Sequence, residues 1–171
     1  MTVYIVGGFM RSGTTMMMRA VQAGGLPAHV GPSDREQSLM ELDRPSSLSP
    51  RFPMAFEGKV IKVLRQGILR IQPRSPMDPY KIVFMHRDAS AISRSLAAFT
   101  GLKLDPDNIG EQIDHIRTQL RKRVDVDVVD MHYEHLLKEP TAAFEYLRYV
   151  GWPIEPYEAR KIVDPKLRHY R

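Results

Sequence analysis

Apolar residues form short continuous runs that alternate with stretches where they recur every three or four residues. Runs rich in apolar residues predict strands at residues 3–6, 59–64, 80–86 and 126–131, with a weaker strand at 26–30. The run at 80–86 has the apolar character of a central parallel strand. The periodic stretches predict helices at residues 12–23, 87–99, 108–123, 140–150 and 155–162. This alternation favours an α/β fold: one domain over residues 1–171, three-layered, with a mostly parallel central sheet flanked by helices.

Residues 31–58 interrupt the alternation and predict a long loop with short helical segments, because prolines punctuate them. Long loops in compact domains tend to be functional. This one carries Asp34, Glu36, Glu41 and Asp43. If a donor binds nearby, the segment is the natural source of a general base, with Asp34 favoured first and Glu36 second. Helix capping is the alternative role for these acids, Asp34 in particular.

A glycine-rich turn joins the first strand to the first helix. It consists of Gly8, Phe9, Met10, Arg11, Ser12, Gly13, Thr14 and Thr15. The spacing is that of a phosphate loop, G-x-x-x-x-G-K-[ST], except that Thr14 replaces the lysine. Backbone N–H groups and the positive end of the following helix would bind a phosphate there, and Thr15 would ligate Mg²⁺ or a phosphate oxygen. Arg11 is the available substitute for the missing lysine charge. An ordinary strand-to-helix turn is the alternative, but the strand before it and the helix after it favour a three-layer P-loop fold.

A second candidate anion site follows the strand at residues 80–86. Arg87 stands at the strand's end and Ser95 lies two turns into the next helix. Ligands of open α/β sheets bind at this edge, so the two side chains could hold one anion. The tripeptide His86-Arg87-Asp88 resembles a kinase catalytic loop only superficially, because Ser93 occupies the place of the expected asparagine.

Composition excludes several classes of protein. The chain has no cysteine, so it forms no disulfide and no thiolate metal site, and its six histidines show no metal-binding spacing. No apolar run approaches the roughly 18 residues of a membrane span. The sequence opens directly on a strand, which predicts no signal peptide and a cytoplasmic location.

Positive charge is concentrated in one part of the chain. The net charge is +5, yet residues 59–103 contain nine Lys or Arg against two Asp, a net of +7. Such a segment suits a polyanionic partner, whether nucleotide or nucleic acid. A solvated basic surface is the alternative.

The two anion motifs together resemble the sulfotransferase-like branch of P-loop proteins. In that family the first motif, here residues 9–15, cradles the donor's 5′ phosphosulfate. The resemblance implies that Arg87 and Ser95 bind the donor's 3′ phosphate. Lys62 falls where cytosolic sulfotransferases keep a lysine near the transferring group, but Leu64 stands where those enzymes have their histidine base.

A closer likeness is to short phage-encoded P-loop kinases, which phosphorylate the hydroxymethyl group of modified pyrimidines in DNA. It rests on the loop sequence Arg-Ser-Gly-Thr-Thr-Met-Met-Met, on Met-Glu-Leu-Asp at 40–43 and on Phe-Glu-Gly-Lys-Val-Ile-Lys at 56–62. The basic segment is compatible with a duplex DNA acceptor. If Arg70 and Arg74 both contact its phosphates, replacing the two together should flatten the salt dependence of DNA binding by about 2.

Three functions follow from these patterns. The first is a kinase that uses ATP or GTP with Mg²⁺, acting in the host cytoplasm if phage-encoded, with Arg11 and Lys62 offsetting charge and Asp34 or Glu36 as base. The second is a sulfotransferase that uses 3′-phosphoadenylyl sulfate without metal. The third is a non-catalytic nucleotide-binding module. The kinase is favoured.

Overall fold

Four parallel strands form a sheet in the order β2-β1-β3-β4 in a computed structural model, which describes residues 2–29 and 56–163 of the chain. The strands are β1 (Tyr4–Gly8), β2 (Val60–Leu64), β3 (Tyr80–His86) and β4 (Val126–His132). Every residue of β1 and β2 is buried, as the continuous apolar runs predict for strands covered on both faces. In the central register, Ile5 of β1 pairs with Ile61 of β2 and with Ile82 of β3.

Helices cover both faces of the sheet, which confirms the predicted three-layer α/β architecture. One face carries α1 (Thr14–Ala23), α4 (Tyr133–Lys138), α5 (Pro140–Tyr149) and α6 (Pro156–Arg160). The other face carries a short 3₁₀ helix (Arg65–Arg70), α2 (Ala89–Thr100) and α3 (Pro106–Arg121). Each layer packs through its own apolar cluster, centred on Met17, Met18 and Trp152 in the first and on Ile68, Ile92 and Ile116 in the second.

The helices that leave β1 and β3 pass to opposite faces of the sheet. Helix α1 follows β1 onto one face, and α2 follows β3 onto the other. Since β1 and β3 are neighbours, a crevice opens between their carboxyl ends. Open α/β sheets bind their ligands in such a crevice, where the connections diverge.

Most element boundaries lie within two residues of the sequence predictions, and the differences have local causes. Helix α3 begins at Pro106 because Asp105 caps it, accepting a hydrogen bond from the Asp107 amide. The weak strand predicted at 26–30 is reduced to one isolated bridge, Ala28 to Val60, in the described part of that range. Proline 27 cannot donate a ladder hydrogen bond, which limits pairing there. Most of the predicted long loop at 31–58 lies outside the described residues.

Candidate active site

The turn between β1 and α1 is built so that only glycine fits at its first position. Gly8 has φ +148°, and a Cβ there would lie 2.7 Å from the Ser12 Oγ and 2.9 Å from the Met85 carbonyl oxygen. The buried Ser12 hydroxyl donates to the Phe9 carbonyl oxygen at 2.7 Å and closes the turn. The loop is therefore packed tightly between its own serine and the backbone of β3.

Arg11 occupies the left-handed region, with φ +66°, which costs a non-glycine residue on the order of 1 kcal/mol or more. Three contacts hold it there. Its carbonyl oxygen accepts from Arg87 Nη1 at 2.9 Å, its Nε donates to Ser95 Oγ at 3.1 Å, and its guanidinium lies 4.7 Å from the centre of the Phe99 ring. The structure thus brings together Arg11, Arg87 and Ser95, which the sequence placed in two separate motifs.

The amino end of α1 presents unpaired backbone donors. Helix α1 starts at Thr14 and has no side-chain cap. Within the described chain, the amides of residues 13–16 donate no hydrogen bond, and the first intrahelical bond runs from Met17 to the Gly13 carbonyl oxygen. Such amides, with the helix dipole behind them, form a binding site for an anion.

These groups surround a pocket of about 240 Å³, called here the loop pocket. It is lined by Arg11, Gly13, Thr14, Thr15, Met16, Arg19, Arg87, Ser95 and Tyr133. Among the described residues that line it, three carry a guanidinium group and none carries a carboxylate. The electrostatics of the loop pocket therefore favour a ligand with more than one negative charge.

Arg87 has an unsatisfied donor at this pocket. Its Nε is buried and makes no hydrogen bond within the described chain, although its Nη1 donates to the Arg11 carbonyl oxygen. Its guanidinium lies 4.6 Å from the centre of the Tyr133 ring. A buried unpaired donor on a charged group is costly, so a ligand oxygen that reached it would recover that cost.

Tyr133 and Arg19 line the loop pocket, although the sequence analysis did not select them. Tyr133 begins α4 directly after β4, and a Cβ on Gly13 would lie 2.6 Å from its Cδ2. Its position at the carboxyl end of a parallel strand is a signal that could have identified it. Arg19 lies four residues after Thr15 on α1, hence on the same helix face.

The remaining predicted residues divide into three groups. Phe9 is fully buried, Met10 packs against the same apolar cluster, and neither residue lines the loop pocket. Lys62 is 7% exposed, within β2, and is not among the residues that line the loop pocket. Asp34 and Glu36, with Glu41 and Asp43, lie outside the described residues.

A second polar cluster joins the ends of β3 and β4. His86 Nε2 lies 2.6 Å from Asp130 Oδ1, and Arg117 donates to the other carboxylate oxygen. Burial raises the pKa of the Asp130 carboxyl, but the hydrogen bond from His86 and the charge of Arg117 outweigh burial, so the pKa is lowered. The His86 ring stacks on His132 with centroids 5.0 Å apart. The cluster fixes the sheet edge beside Arg87.

The cations of the basic segment do not form one open surface. Arg74 is paired with Asp78 at 2.5 Å and Glu57 at 3.5 Å, and its side chain is only 8% exposed. Lys81 donates to the Val150 carbonyl oxygen at 2.7 Å. Arg74 is therefore poorly placed to contact a DNA phosphate, because its guanidinium is buried and paired with these two carboxylates. Arg70, Arg94 and Lys103 are exposed.

The described residues contain neither a metal-binding cluster nor a membrane-spanning helix. No group of three or more His, Asp or Glu side chains among them could hold a metal ion. None of the helices in the described ranges is both long and apolar enough to cross a membrane.

Comparison with known proteins finds similarity at the level of fold. No protein-family model and no curated protein matches the sequence. Retinol dehydratase in complex with retinol and PAP matches with a TM-score of 0.53 and 16% identity, over 94% of this chain and 63% of that one. Its complex with androsterone and the inactive cofactor PAP matches with a TM-score of 0.52 and 15% identity, over 94% of this chain and 62% of that one. A gluconokinase from Sinorhizobium meliloti 1021 matches with a TM-score of 0.43 and 16% identity, over 88% of this chain and 97% of that one.

This chain thus spans less than two thirds of retinol dehydratase, which it matches along nearly all of its own length. The identity is low, so the likeness concerns the path of the backbone. The parallel sheet and its flanking helices therefore have an α/β fold similar to that of retinol dehydratase.

Proposed function

We propose that the protein is a P-loop kinase that transfers the γ-phosphoryl group of ATP or GTP to a hydroxyl group. The observation that carries this proposal is the loop pocket, where the guanidinium groups of Arg11 and Arg87 adjoin the unpaired amides of α1. A triphosphate is a multiply charged ligand that such a pocket stabilises.

The reaction would be an in-line displacement. The acceptor oxygen bonds to the γ-phosphorus, the bond to the β,γ-bridging oxygen breaks, and the nucleoside diphosphate leaves. Arg11 and the loop amides stabilise the charge on the transferring group, in the place of the absent loop lysine. A carboxylate of the loop at 31–58, Asp34 or Glu36, takes the hydroxyl proton. Lys62 is proposed to offset charge near the transferring group, as the resemblance implies.

Mg²⁺ would be held at Thr15. Its side chain is exposed in the first turn of α1 and lines the loop pocket, and a hydroxyl oxygen completed by phosphate oxygens and waters is a coordination that Mg²⁺ accepts. When bound, Mg²⁺ supplies charge neutralisation between the β- and γ-phosphates. Its contribution complements that of Arg11, whose single charge is too small for two phosphate groups.

We propose the 5-hydroxymethyl group of modified uracil in phage DNA as the acceptor, with the host cytoplasm as the site of action. The motif likeness to short phage kinases supports this choice. The exposed cations Arg70, Arg94 and Lys103 are available to a duplex.

A sulfotransferase is the second candidate, and a specific observation favours it. Arg87 and Ser95 stand together beside the loop, the arrangement that the sulfotransferase resemblance implies for a 3′ phosphate. The fold likeness is to a protein solved with PAP. The donor would then be 3′-phosphoadenylyl sulfate, bound without metal. A non-catalytic module would bind either nucleotide without turnover.

Calorimetric titration separates these functions. A kinase binds ATP in the presence of Mg²⁺ more tightly than adenosine 3′,5′-bisphosphate, and it transfers phosphate from γ-labelled ATP to DNA that contains 5-hydroxymethyluracil. Metal-independent binding of the bisphosphate, with no response to ATP and Mg²⁺, would promote the sulfotransferase. Tight binding of ATP with no phosphoryl transfer to any hydroxyl would favour the non-catalytic nucleotide-binding module.

A further inference from the structure

A second, polar groove begins beside the phosphate loop. It has a volume of about 530 Å³ and lies between the 3₁₀ helix and α3. Its lining residues, which define the polar groove, are Arg65, Gln66, Asn108, Glu111, Gln112 and His115. None of them lines the loop pocket, so the groove is a separate site.

The sheet register places the polar groove next to the loop. Gly8, the last residue of β1, pairs with Leu64, the last residue of β2. Arg65 is therefore level with Phe9, and its guanidinium lies 5.3 Å from the centre of the Phe9 ring. The groove thus opens at the carboxyl edge of the sheet, where ligands of this architecture bind, and the contact between Arg65 and Phe9 joins it to the turn that carries Arg11.

The polar groups of the groove have few partners within the described chain, where Gln112 donates to the Asn108 carboxamide oxygen. Arg65 adopts φ +51°, and its backbone is the second strained non-glycine position of the described chain, after Arg11. Within the described residues its guanidinium makes no hydrogen bond and no ion pair, and Gln66, Glu111 and His115 make none either. Strained residues that persist in a fold concentrate at binding and active sites, which favours a ligand site here.

The chemistry of the groove differs from that of the loop pocket. One guanidinium, one carboxylate and three carboxamides give it a balanced charge, whereas the loop pocket has three guanidinium groups. The negative charge of the Glu111 carboxylate disfavours the binding of a phosphate group in the groove. Carboxamide and guanidinium edges match a neutral planar ring whose rim alternates donors and acceptors, and the volume is within the roughly 300–1,000 Å³ typical of small-ligand sites.

We propose that the polar groove is the acceptor subsite and that it receives a neutral pyrimidine base extruded from a DNA strand. The proposal rests on the kinase function proposed above, since it names where that acceptor binds. An enzyme that modifies a base must take it out of the stack, and the extruded ring is then recognised by hydrogen bonds to its edge. Arg65, Glu111 and Gln112 are the residues that hydrogen-bond to the ring, and its substituent would face the loop pocket across the turn that Arg65 contacts at Phe9.

The kinetic test uses the full chain, ATP with Mg²⁺, and a single-stranded oligonucleotide that carries one 5-hydroxymethyluracil. We expect Arg65→Ala, Glu111→Gln and Gln112→Ala each to raise the KM for the oligonucleotide about tenfold and to leave the KM for ATP unchanged. Asp114→Asn is the matched control for Glu111→Gln, because both residues are exposed acids on α3 and only Glu111 lines the groove. Glu111→Gln preserves the side-chain shape at an exposed position, so its result does not depend on refolding.

A cross-linking arm locates the base without relying on turnover. An oligonucleotide with one 5-iodouracil is irradiated with the protein, and we expect the label on peptides that contain residues 65–66 or 108–115. If the wild-type protein phosphorylates its acceptor but the groove variants keep the wild-type oligonucleotide KM, the groove proposal is overturned and the kinase function stands. If the wild-type protein transfers no phosphate, the proposed kinase function is wrong. Cross-links on other peptides, or the absence of any cross-link, would overturn the groove proposal as well.

Discussion

At the scale of single residues, Arg11 combines backbone strain with three contacts, and the strain is retained because those contacts aim its guanidinium at the loop pocket. We predict that Arg11→Ala abolishes turnover and weakens donor binding by about 2 kcal/mol, the typical loss for a charge-assisted contact. Calorimetry with ATP and Mg²⁺ measures the change. Arg94→Ala is the control, since Arg94 is exposed and adjacent to Ser95 without lining the pocket. Unchanged donor affinity in Arg11→Ala would remove Arg11 from the site.

Tyr133 is a second single residue whose ring supports the loop pocket. The ring lies over the Arg87 guanidinium and against Gly13, so it positions both a cation and the loop. We predict that Tyr133→Ala weakens donor binding by about 1 kcal/mol, the usual size of a partly buried cation–π contact with some loss of packing. Tyr133→Phe keeps the ring and should retain the wild-type affinity. Equal losses in both variants would assign the effect to the hydroxyl and contradict the positioning role.

At the scale of elements, glycines have different functions in the loop and in the helices. Gly110 lies within α3, and a Cβ there meets nothing within 4 Å, so we predict that Gly110→Ala raises the free energy of unfolding by about 0.5–1 kcal/mol. Gly8→Ala should lower it by about 2 kcal/mol or more, because the added methyl group meets the Met85 backbone at a positive φ. Urea denaturation measures both values. A neutral Gly8→Ala would show that the loop relaxes easily.

The elements also show what the sequence could predict. The strands were predictable because a parallel strand covered on both faces needs a continuous apolar run, as β1 and β3 have. Helix α4 was missed because six residues are too few for a periodic signal. The Arg11–Ser95 contact joins residues 84 positions apart, so only the resemblance linked the two motifs beforehand. The burial of Arg74 was not predictable, since its pairing with Asp78 depends on how the chain turns after the 3₁₀ helix.

At the scale of the whole molecule, buried carboxylates determine how stability depends on pH. Arg123 donates two hydrogen bonds to the Asp125 carboxylate, and these outweigh burial and lower its pKa. A carboxyl whose folded pKa is depressed stabilises the protein above its unfolded pKa, and the stability is lost as the pH falls through the folded pKa. We therefore predict that the free energy of unfolding falls below about pH 4. Asp125→Asn should flatten that dependence in urea titrations at pH 3 and pH 7, and an unchanged slope would assign it to other groups.

The fold of the whole molecule also determines which Lys and Arg side chains are exposed and can contact a nucleic acid. Each phosphate contact made by an exposed Lys or Arg contributes about −0.9 to the slope of log K against log salt. If duplex DNA is the acceptor and Arg70 contacts a phosphate, Arg70→Ala should flatten that slope by about 1 and leave the unfolding free energy unchanged, because Arg70 is exposed. Arg74→Ala should do the reverse: it leaves the slope unchanged and lowers stability, since it removes the partner of Asp78 and Glu57. Fluorescence anisotropy from 50 to 200 mM salt, with urea denaturation of the same variants, measures both quantities. A salt slope near zero for the wild-type protein would exclude duplex DNA as the acceptor and leave a free nucleoside or another small hydroxyl compound.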